Sequence, residues 1–537
     1  MPGTILENLS GRKLNVLVAI LLVFQVACFL VGLIAPSPAN FQNIYATFCY
    51  DDNPGLKDEP GRWFTKDCKR KITNLKTDTV GMSSNNIVMV FEMPHYNFDF
   101  SRWQQKLVGL VNFEQEDEAG YKPDPTIELT LEARLGYSDE SKSGRTPWSL
   151  YANSTEIRHM DCETDENTGA RHDGYKVDCS IVPLFELGNL YHDYYLLNLR
   201  LPENANTKLG RVHEVQLNII YMNGGFTRVW VSLKTVFFPI IVGIIAWFWR
   251  RVFILDRTPA LLEYMLFSLG MTLAILDFPI EYFSLYFDMP YMMVFSDIRQ
   301  GVFYAMLLSF WLVFAGEHML IQDNGEKNCL KMYWKHLSTI AVGCLSLLIF
   351  DLCERGVQLV NPFYSIWATP TGTHFALSFV ILAGISASMY FIFLCYMIWR
   401  VFKNISIKRS VLPSMSQARR LHYEGIIYRF NFLMLATVIC AGVTIVSFIL
   451  SQVAEGQVKW DDEMDIELSS VIFTGVYGMW NVYICAMLML YAPSHKQWPS
   501  ESLTHDGEEV EFSRLPTESV PSEISSLTSF ATKASIE

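Results

Sequence analysis

Long apolar segments recur along the chain, and they constrain its fold more than any other feature. Each is long enough, or nearly so, to cross the roughly 30 Å hydrocarbon core of a bilayer as a helix rising about 1.5 Å per residue. The eight segments are residues 14–35, 236–255, 260–287, 298–320, 337–354, 374–400, 430–453 and 469–492. The composition agrees, because only 18% of the 537 residues are charged, against about 25% in soluble domains. We therefore predict a multi-pass α-helical membrane protein with eight transmembrane helices.

The first segment decides the topology. Residues 14–35 follow Arg12 and Lys13 and exceed the roughly 7–15 apolar residues of a signal-peptide core, and no small-x-small cleavage site follows them. We predict an uncleaved helix after a cytosolic N-terminus at residues 1–13; cleavage is the alternative. Most basic residues near the other segments fall on the same side of the membrane as the N-terminus, as the positive-inside rule requires of the cytosolic face. The polar tail, residues 493–537, is predicted to be cytosolic and disordered.

Residues 36–234 lie between the first helix and the remaining seven and are predicted to form a lumenal domain. Apolar residues alternate with polar ones over 127–135, 195–201 and 215–221, which predicts antiparallel strands with one buried face and hence a β-rich sandwich. Trp103, Leu107, Leu110 and Val111 follow helical spacing, which predicts one amphipathic helix packed on the sheet. The bundle then spans residues 235–492.

Four of the eleven cysteines, Cys49, Cys68, Cys162 and Cys179, lie in this polar domain. An even number of cysteines suggests two disulfides in an oxidising lumen. A zinc site is the alternative, but no CxxC or HxxxH spacing supports it. Of three possible pairings, 49–68 with 162–179 is favoured because each closes a short loop.

The same topology selects one glycosylation site. N-x-[ST] sequons occur at Asn8, Asn153 and Asn404, and only Asn153 falls on the lumenal side, so a single N-glycan is predicted there.

The fourth predicted helix has two unlike faces. Its small residues are Gly301, Ala305 and Ser309, and its large ones are Phe303, Leu307, Phe310 and Phe314. Small residues let a neighbouring helix approach closely, so the small face is expected to pack. The aromatic face is then expected to touch either lipid or an apolar ligand, which makes its four residues candidates for a ligand cavity.

Ionisable residues gather near the predicted lumenal ends of the third, fourth and fifth helices. They are Asp277, Glu281, Asp297, Arg299, Asp351, Glu354 and Arg355. Charge near hydrocarbon is costly and usually faces a partner or a cavity. Two interpretations remain open and are compatible: a polar collar around a cavity below the lumenal domain, and interhelical ion pairs that fix the bundle.

No motif indicates an enzyme. The chain contains no G-x-S-x-G, H-E-x-x-H, P-loop or dinucleotide fingerprint, so no catalytic residue, metal or cofactor is assigned. The net charge of −13 argues against nucleic acid as a partner. In the largest cytosolic loop, Tyr423 precedes the bulky Ile426 by three residues, a pattern that an adaptor protein can bind as an added strand.

Several long stretches resemble the Wntless family of carriers for Wnt proteins. They are Asn223-Gly-Gly-Phe-Thr-Arg-Val-Trp230, Phe278-Pro-Ile-Glu-Tyr-Phe-Ser284, residues 296–318, residues 350–367, residues 419–426, Phe473-Thr-Gly-Val-Tyr-Gly-Met-Trp-Asn481 and Tyr491-Ala-Pro-Ser-His495. The resemblance is weak over residues 50–90 and in the tail.

The resemblance implies a lumenal β-rich domain that grips the Wnt protein and a heptahelical-receptor-like bundle whose cavity takes its acyl chain. It also implies a clathrin-adaptor signal at Tyr423 and Ile426, retromer-dependent recycling, and a route through endoplasmic reticulum, Golgi, plasma membrane and endosomes, with membrane lipids as surroundings. The alternative is a heptahelical signalling receptor with a large ectodomain. Against it, no Asp-Arg-Tyr triplet ends a helix on the cytosolic side, and Asn361-Pro-Phe-Tyr364 lies in a predicted lumenal loop.

Overall fold

The structure of the protein is a computed structural model. This structure describes residues 4–9, 11–56, 59, 61–73, 75–79, 81–94, 99–116, 126–141, 144–164, 176–207, 209, 212–255, 257–320, 333–411, 428–429, 431–447 and 467–494. A β-sandwich is inserted between the first long helix and the others.

The sandwich is entirely antiparallel over the described residues. Its strands are β1 Ala39–Tyr45, β2 Thr47–Tyr50, β3 Lys71–Ile72, β4 Ile87–Met93, β5 Leu107–Glu116, β6 Thr126–Ser138, β7 Glu140–Ser141, β8 Gly144–Arg145, β9 Ser149–Thr164, β10 Lys176–Cys179, β11 Val182–Leu187, β12 Tyr194–Arg200 and β13 Val212–Met222. The main sheet runs β1-β13-β5-β10-β9-β6-β12-β4-β2-β3, with β11 on β5 and β7 paired with β8. Side chains from both halves, such as Phe91, Leu131 and Leu217, fill one core.

The alternating segments are confirmed as strands. Residues 127–135 lie in β6, 195–201 largely in β12, and 215–221 in β13. In β6 the residues Ile127, Leu129 and Leu131 are fully buried, because one face of the strand covers the core and the other does not.

The predicted amphipathic helix over residues 103–111 is wrong. Leu107 and Val111 belong to β5, which pairs with β13 on one side and β11 on the other. A spacing of four residues fits both a helix face and a strand face, so this pair could not distinguish them. Gly109 between them lies directly under the ring of Phe185, a close approach that a strand glycine permits.

Two disulfides reinforce the sandwich. Cys49 of β2 is bonded to Cys68, and Cys162 of β9 is bonded to Cys179 of β10. The second pair lies directly opposite in the antiparallel register, where neighbouring strands bring Cβ atoms close.

The long helices are α1 Gly11–Ile34, α2 Gly224–Phe253, α3 Leu261–Asp277, α4 Met292–Leu320, α5 Trp334–Gln358, α6 Pro370–Val411, α7 Asn431–Ser447 and α8 Glu467–Tyr491. Within the described residues, seven are long and apolar enough to cross a membrane, and α7 is shorter. The seventh span was predicted at 430–453, of which residues 430 and 448–453 lie outside the described part.

Helix α1 packs against α8 through small residues. Gly32 lies against Thr474, and Gly478 lies against Cys28, so closely that a Cβ at either glycine would clash. Gln25 donates from Nε2 to the Gly475 carbonyl at 2.9 Å. Such small-residue contacts let membrane helices approach closely, and they make α1 part of the bundle.

Candidate functional site at the junction of sandwich and bundle

The sandwich and the bundle are joined first by the continuous chain. Asn223 caps α2, its side chain accepting a hydrogen bond from the Gly225 amide, and its own amide donates to Pro38 at 3.0 Å. The hydroxyl of Ser470 on α8 donates to the Pro36 carbonyl at 2.9 Å. These contacts fix the sandwich to the ends of α1, α2 and α8.

The connection between α3 and α4 makes a second attachment. Asn189 donates from Nδ2 to the Met289 carbonyl at 3.1 Å, and Arg102 forms an ion pair with Asp288 at 2.9 Å. Gly188 lies against the side chain of Met293. Three points on the sandwich therefore contact this connection or the first turn of α4.

The connection between α5 and α6 makes a third attachment, and it enters the sandwich. Phe363 is 0% exposed and belongs to the sandwich core beside Phe185. The Glu186 amide donates to the Pro362 carbonyl at 2.9 Å, and the Arg158 guanidinium donates to the Phe363 carbonyl. A residue from the membrane domain thus completes the core of the other domain.

A cleft lies between these attachments. Its volume is about 40 Å³. The residues that line it include Tyr151, Glu186, Asn189, Tyr191, Met293, Arg355 and Gln358. A water molecule needs roughly 10–15 Å³ of such a cavity. The cleft therefore accommodates a few waters or a small chemical group. Burial raises the pKa of Tyr191 to about 12.

Beneath the cleft, a buried ion group joins three helical elements. Glu281 accepts from Lys234 of α2 and, at 3.2 Å, from Arg299 of α4. Arg299 also donates to the Phe278 carbonyl at 2.9 Å. All three charged side chains are buried, and burial of such charges is tolerated only when each is paired and hydrogen-bonded.

Asp277 lies nearby with a different set of partners. It accepts a hydrogen bond from the Tyr477 hydroxyl at 2.6 Å, and Asn481, one turn further along α8, donates to the Tyr477 carbonyl. All three residues are buried. The arrangement ties the end of α3 to the middle of α8.

A second ion group is more accessible. Arg355 of α5 contacts Asp351 at 2.7 Å and Asp297 of α4 at 3.3 Å, and Glu354 is partly buried on the same turn. Arg355 also lines the cleft. The predicted collar residues therefore form two sets, one fully buried and one at the edge of the cleft, and the ion pairs among them cross between helices.

Lys234 was missed because the bundle was predicted to begin at residue 235, whereas α2 begins at Gly224. The available signal was Asn223 before Gly-Gly, since asparagine is a preferred N-cap residue. Polar residues between the cap and Lys234 obscured it.

The large face of α4 packs inside the bundle, whereas Ala305 and Ser309 on the small face are only partly buried. Phe303, Leu307, Phe310 and Phe314 are 0–1% exposed and belong to the bundle core, whereas Gly301 is exposed. Phe303 packs against Trp480 of α8 with ring centroids 5.4 Å apart. The aromatic face therefore packs on protein and does not contact lipid.

Of the four candidates, Phe314 borders a small apolar cavity between α4, α6 and α7. The residues that line the cavity include Ala315, Leu394, Met434 and Ala441, and its volume is about 10 Å³. That is close to the minimum for one water.

The remaining predicted sites are placed as follows. Asn153 is exposed on β9. Tyr423 and Ile426 lie outside the described residues. Over the part of the chain that the structure covers, no group of three or more His, Cys, Asp or Glu residues is arranged to bind a metal ion.

The fold and the junction define a class: a multi-pass membrane protein whose β-sandwich is attached to one end of its helical bundle at three places. The transmembrane-domain model of the Wntless-like proteins matches residues 223–495, and the Wntless GOLD-domain model matches residues 47–222. Proteins called Protein wntless from Drosophila virilis, Drosophila ananassae and Drosophila grimshawi are 52%, 52% and 51% identical, with both chains covered in full. The chain belongs to the Wntless family.

Proposed function

We propose that this chain is a non-enzymatic cargo receptor that binds lipid-acylated Wnt proteins in the secretory pathway and escorts them to the cell surface. Membership of the Wntless family supports a role in Wnt secretion. The sandwich is proposed to face the lumen and grip the protein part of the cargo, while the bundle takes the acyl chain.

The observation that carries the proposal is the entry of Phe363 into the sandwich core. It attaches the α5–α6 pair to the sandwich, to which α1 and α2 are joined by the continuous chain and α8 by the Ser470–Pro36 hydrogen bond. A cargo with a protein part and an acyl chain needs two binding regions at a fixed separation, and this junction supplies a fixed separation.

Energetics explain why both regions are needed. Burying an acyl chain of about fourteen methylenes is worth on the order of 10 kcal/mol relative to water. The bilayer offers nearly the same gain, so an apolar cavity alone cannot select cargo over lipid. Contacts with the protein part, at the sandwich and the cleft, must supply the difference.

We place the acyl chain between α4, α6 and α7, next to Phe314. The apolar wall suits the ligand, but the present space of about 10 Å³ is far too small, so the helices must separate to admit it. Helices α5 and α6 are the best candidates to move, because much of their apolar surface is turned away from the bundle.

The trafficking part of the proposal concerns the cytosolic side. Both termini are placed in the cytosol, with Tyr423 and Ile426 as an endocytosis signal for a clathrin adaptor and retromer as the recycling machinery. Passage through endoplasmic reticulum, Golgi, plasma membrane and endosomes follows from the same role.

Co-purification of the full chain with wild-type Wnt and with Wnt lacking its acylated serine tests the proposal. We expect recovery to fall sharply without the acyl group. Equal recovery of both forms would overturn the acyl-cavity mechanism, and no recovery of either would overturn carriage.

A matched pair of variants tests the location. Ala441→Leu fills the cavity wall, whereas Val443→Leu changes an exposed position on the same helix. We expect the first to lower recovery of acylated Wnt and the second to leave it unchanged. If both behave like the parent chain, the acyl chain lies elsewhere.

A further inference from the structure

The turn between α3 and α4 has the reverse of a soluble protein's polarity. Of its charged and polar side chains, Glu281 and Ser284 are buried, and Asp288 is exposed but paired with Arg102 of the sandwich. Its large apolar ones are exposed: Phe278, Tyr282, Phe283, Tyr286, Phe287, Tyr291 and Phe295. Contiguous exposed apolar surface of this kind marks a site of contact with another body.

The exposed side chains share one side of the turn. At about 100° per residue, Tyr282, Phe283, Tyr286 and Phe287 fall together, and Glu281 and Ser284 fall opposite them. Tyr286 is 80% exposed and Phe287 is 61% exposed. The protein itself therefore leaves these two rings uncovered, within the residues that the structure describes.

Position and composition indicate what covers them. The turn joins two candidate membrane spans, Leu261–Ser284 and Met292–Glu317, so it lies where helices leave the hydrocarbon. Tyrosine is enriched at this level because its ring is apolar and its hydroxyl is polar. From 278 to 295 the sequence contains seven aromatic residues and no Lys or Arg.

We propose that the outer side of this turn, centred on Tyr286 and Phe287, is a lipid-binding surface inserted in the interface of the leaflet on the sandwich side. Its opposite side supports the sandwich, because Asp288 pairs with Arg102 and the Met289 carbonyl accepts from Asn189. The depth of the turn in the bilayer therefore sets the height of the sandwich above it. This inference is independent of the identity of the cargo.

Substituted cysteines test contact with water. Tyr286→Cys and Phe287→Cys are placed in the full chain in phosphatidylcholine nanodiscs. Ile157→Cys on β9 of the sandwich is the control; at 46% exposed it is less exposed than either test position, so slower labelling at 286 and 287 cannot be due to burial in the protein. A charged, water-soluble maleimide labels each, and labelling of the parent chain is subtracted. We expect positions 286 and 287 to react about ten-fold more slowly than 157, because a charged reagent is poorly soluble in the apolar part of the interface. Equal rates overturn the proposal.

A second measurement identifies what covers the turn. Phe287→Trp is compared with the parent chain in nanodiscs of acyl-brominated phosphatidylcholine, and the extra tryptophan emission is expected to be quenched. Slow labelling without quenching would mean that a second copy of the chain covers the turn, which would also overturn the proposal. All four substitutions are at exposed positions, so an unaltered elution profile verifies the fold.

Discussion

Replacing Phe363 with alanine gives the sharpest test of the junction. Its side chain is 0% exposed in the sandwich core although it belongs to the α5–α6 connection. A buried phenylalanine withdraws about 150–250 Å² from water, which at roughly 25 cal/mol per Å² gives an upper estimate of about 4–6 kcal/mol. Since alanine retains part of this and the cavity relaxes, we expect a loss of about 3–5 kcal/mol.

The loss is expected to appear as undocking of the connection before global unfolding. At about 1.4 kcal/mol per factor of ten, it raises the undocked population roughly 100- to 4,000-fold. The Glu186 amide reports this directly, because it donates to the Pro362 carbonyl at 2.9 Å. Hydrogen exchange of the peptide that contains β11 should accelerate in Phe363→Ala, up to the limit set by global opening.

Two controls separate docking from general damage. Val360→Ala alters the same connection at a side chain that is 87% exposed, and it should leave exchange at Glu186 unchanged. The Ser180 amide, which donates to Asp161 within the sandwich, should remain protected in both variants. Unchanged exchange at Glu186 in a folded Phe363→Ala protein would refute the reasoning.

Three further predictions follow from individual residues. Lys234→Met should destabilise the protein by about 3–5 kcal/mol, because Glu281 is left buried with one partner fewer. The control Lys106→Met removes a partly exposed ion pair with Glu186 and should cost at most about 1 kcal/mol. Equal losses of stability for the two variants on denaturation in nanodiscs would contradict this prediction. Asn153→Gln should abolish the glycosidase-sensitive band shift, and a persistent shift would place another sequon in the lumen. Tyr423→Ala should raise surface abundance, with unchanged antibody uptake as the opposing result.

The parts that the sequence predicted well are those with one dominant local pattern. The strand β6 alternates between buried and less buried residues from Thr126 to Leu135, so the period alone identifies it. The spans were found because a bilayer requires long apolar runs. Their limits were less certain: α2 begins at Gly224 and α6 continues to Val411, since charged residues are tolerated where a helix leaves the hydrocarbon.

The orientation of α4 could not be predicted from one sequence. Lipid and protein interior are almost equally apolar, so hydrophobicity does not say which face of a membrane helix is inward. Phe303 faces inward because Trp480 of α8 is there to receive it, and Gly301 faces outward. The burial of Phe363 could not be predicted either. A single aromatic residue after Pro362 has no periodicity, and its burial depends on a domain that lies more than a hundred residues earlier in the chain.

The attachments of the sandwich are not equivalent, and the difference bears on how cargo could open the bundle. Those at Pro36, Pro38 and the α3–α4 connection hold helices that also pack closely on one another, as Gly32 does on α8. The attachment at Phe363 holds α5 and α6, whose outer surfaces make few contacts with other described residues. A ligand that wedges between α4 and α6 must therefore move the pair, strain the Phe363 contact, or shift the sandwich with it. Each outcome transmits occupancy of the bundle to the domain proposed to grip the cargo.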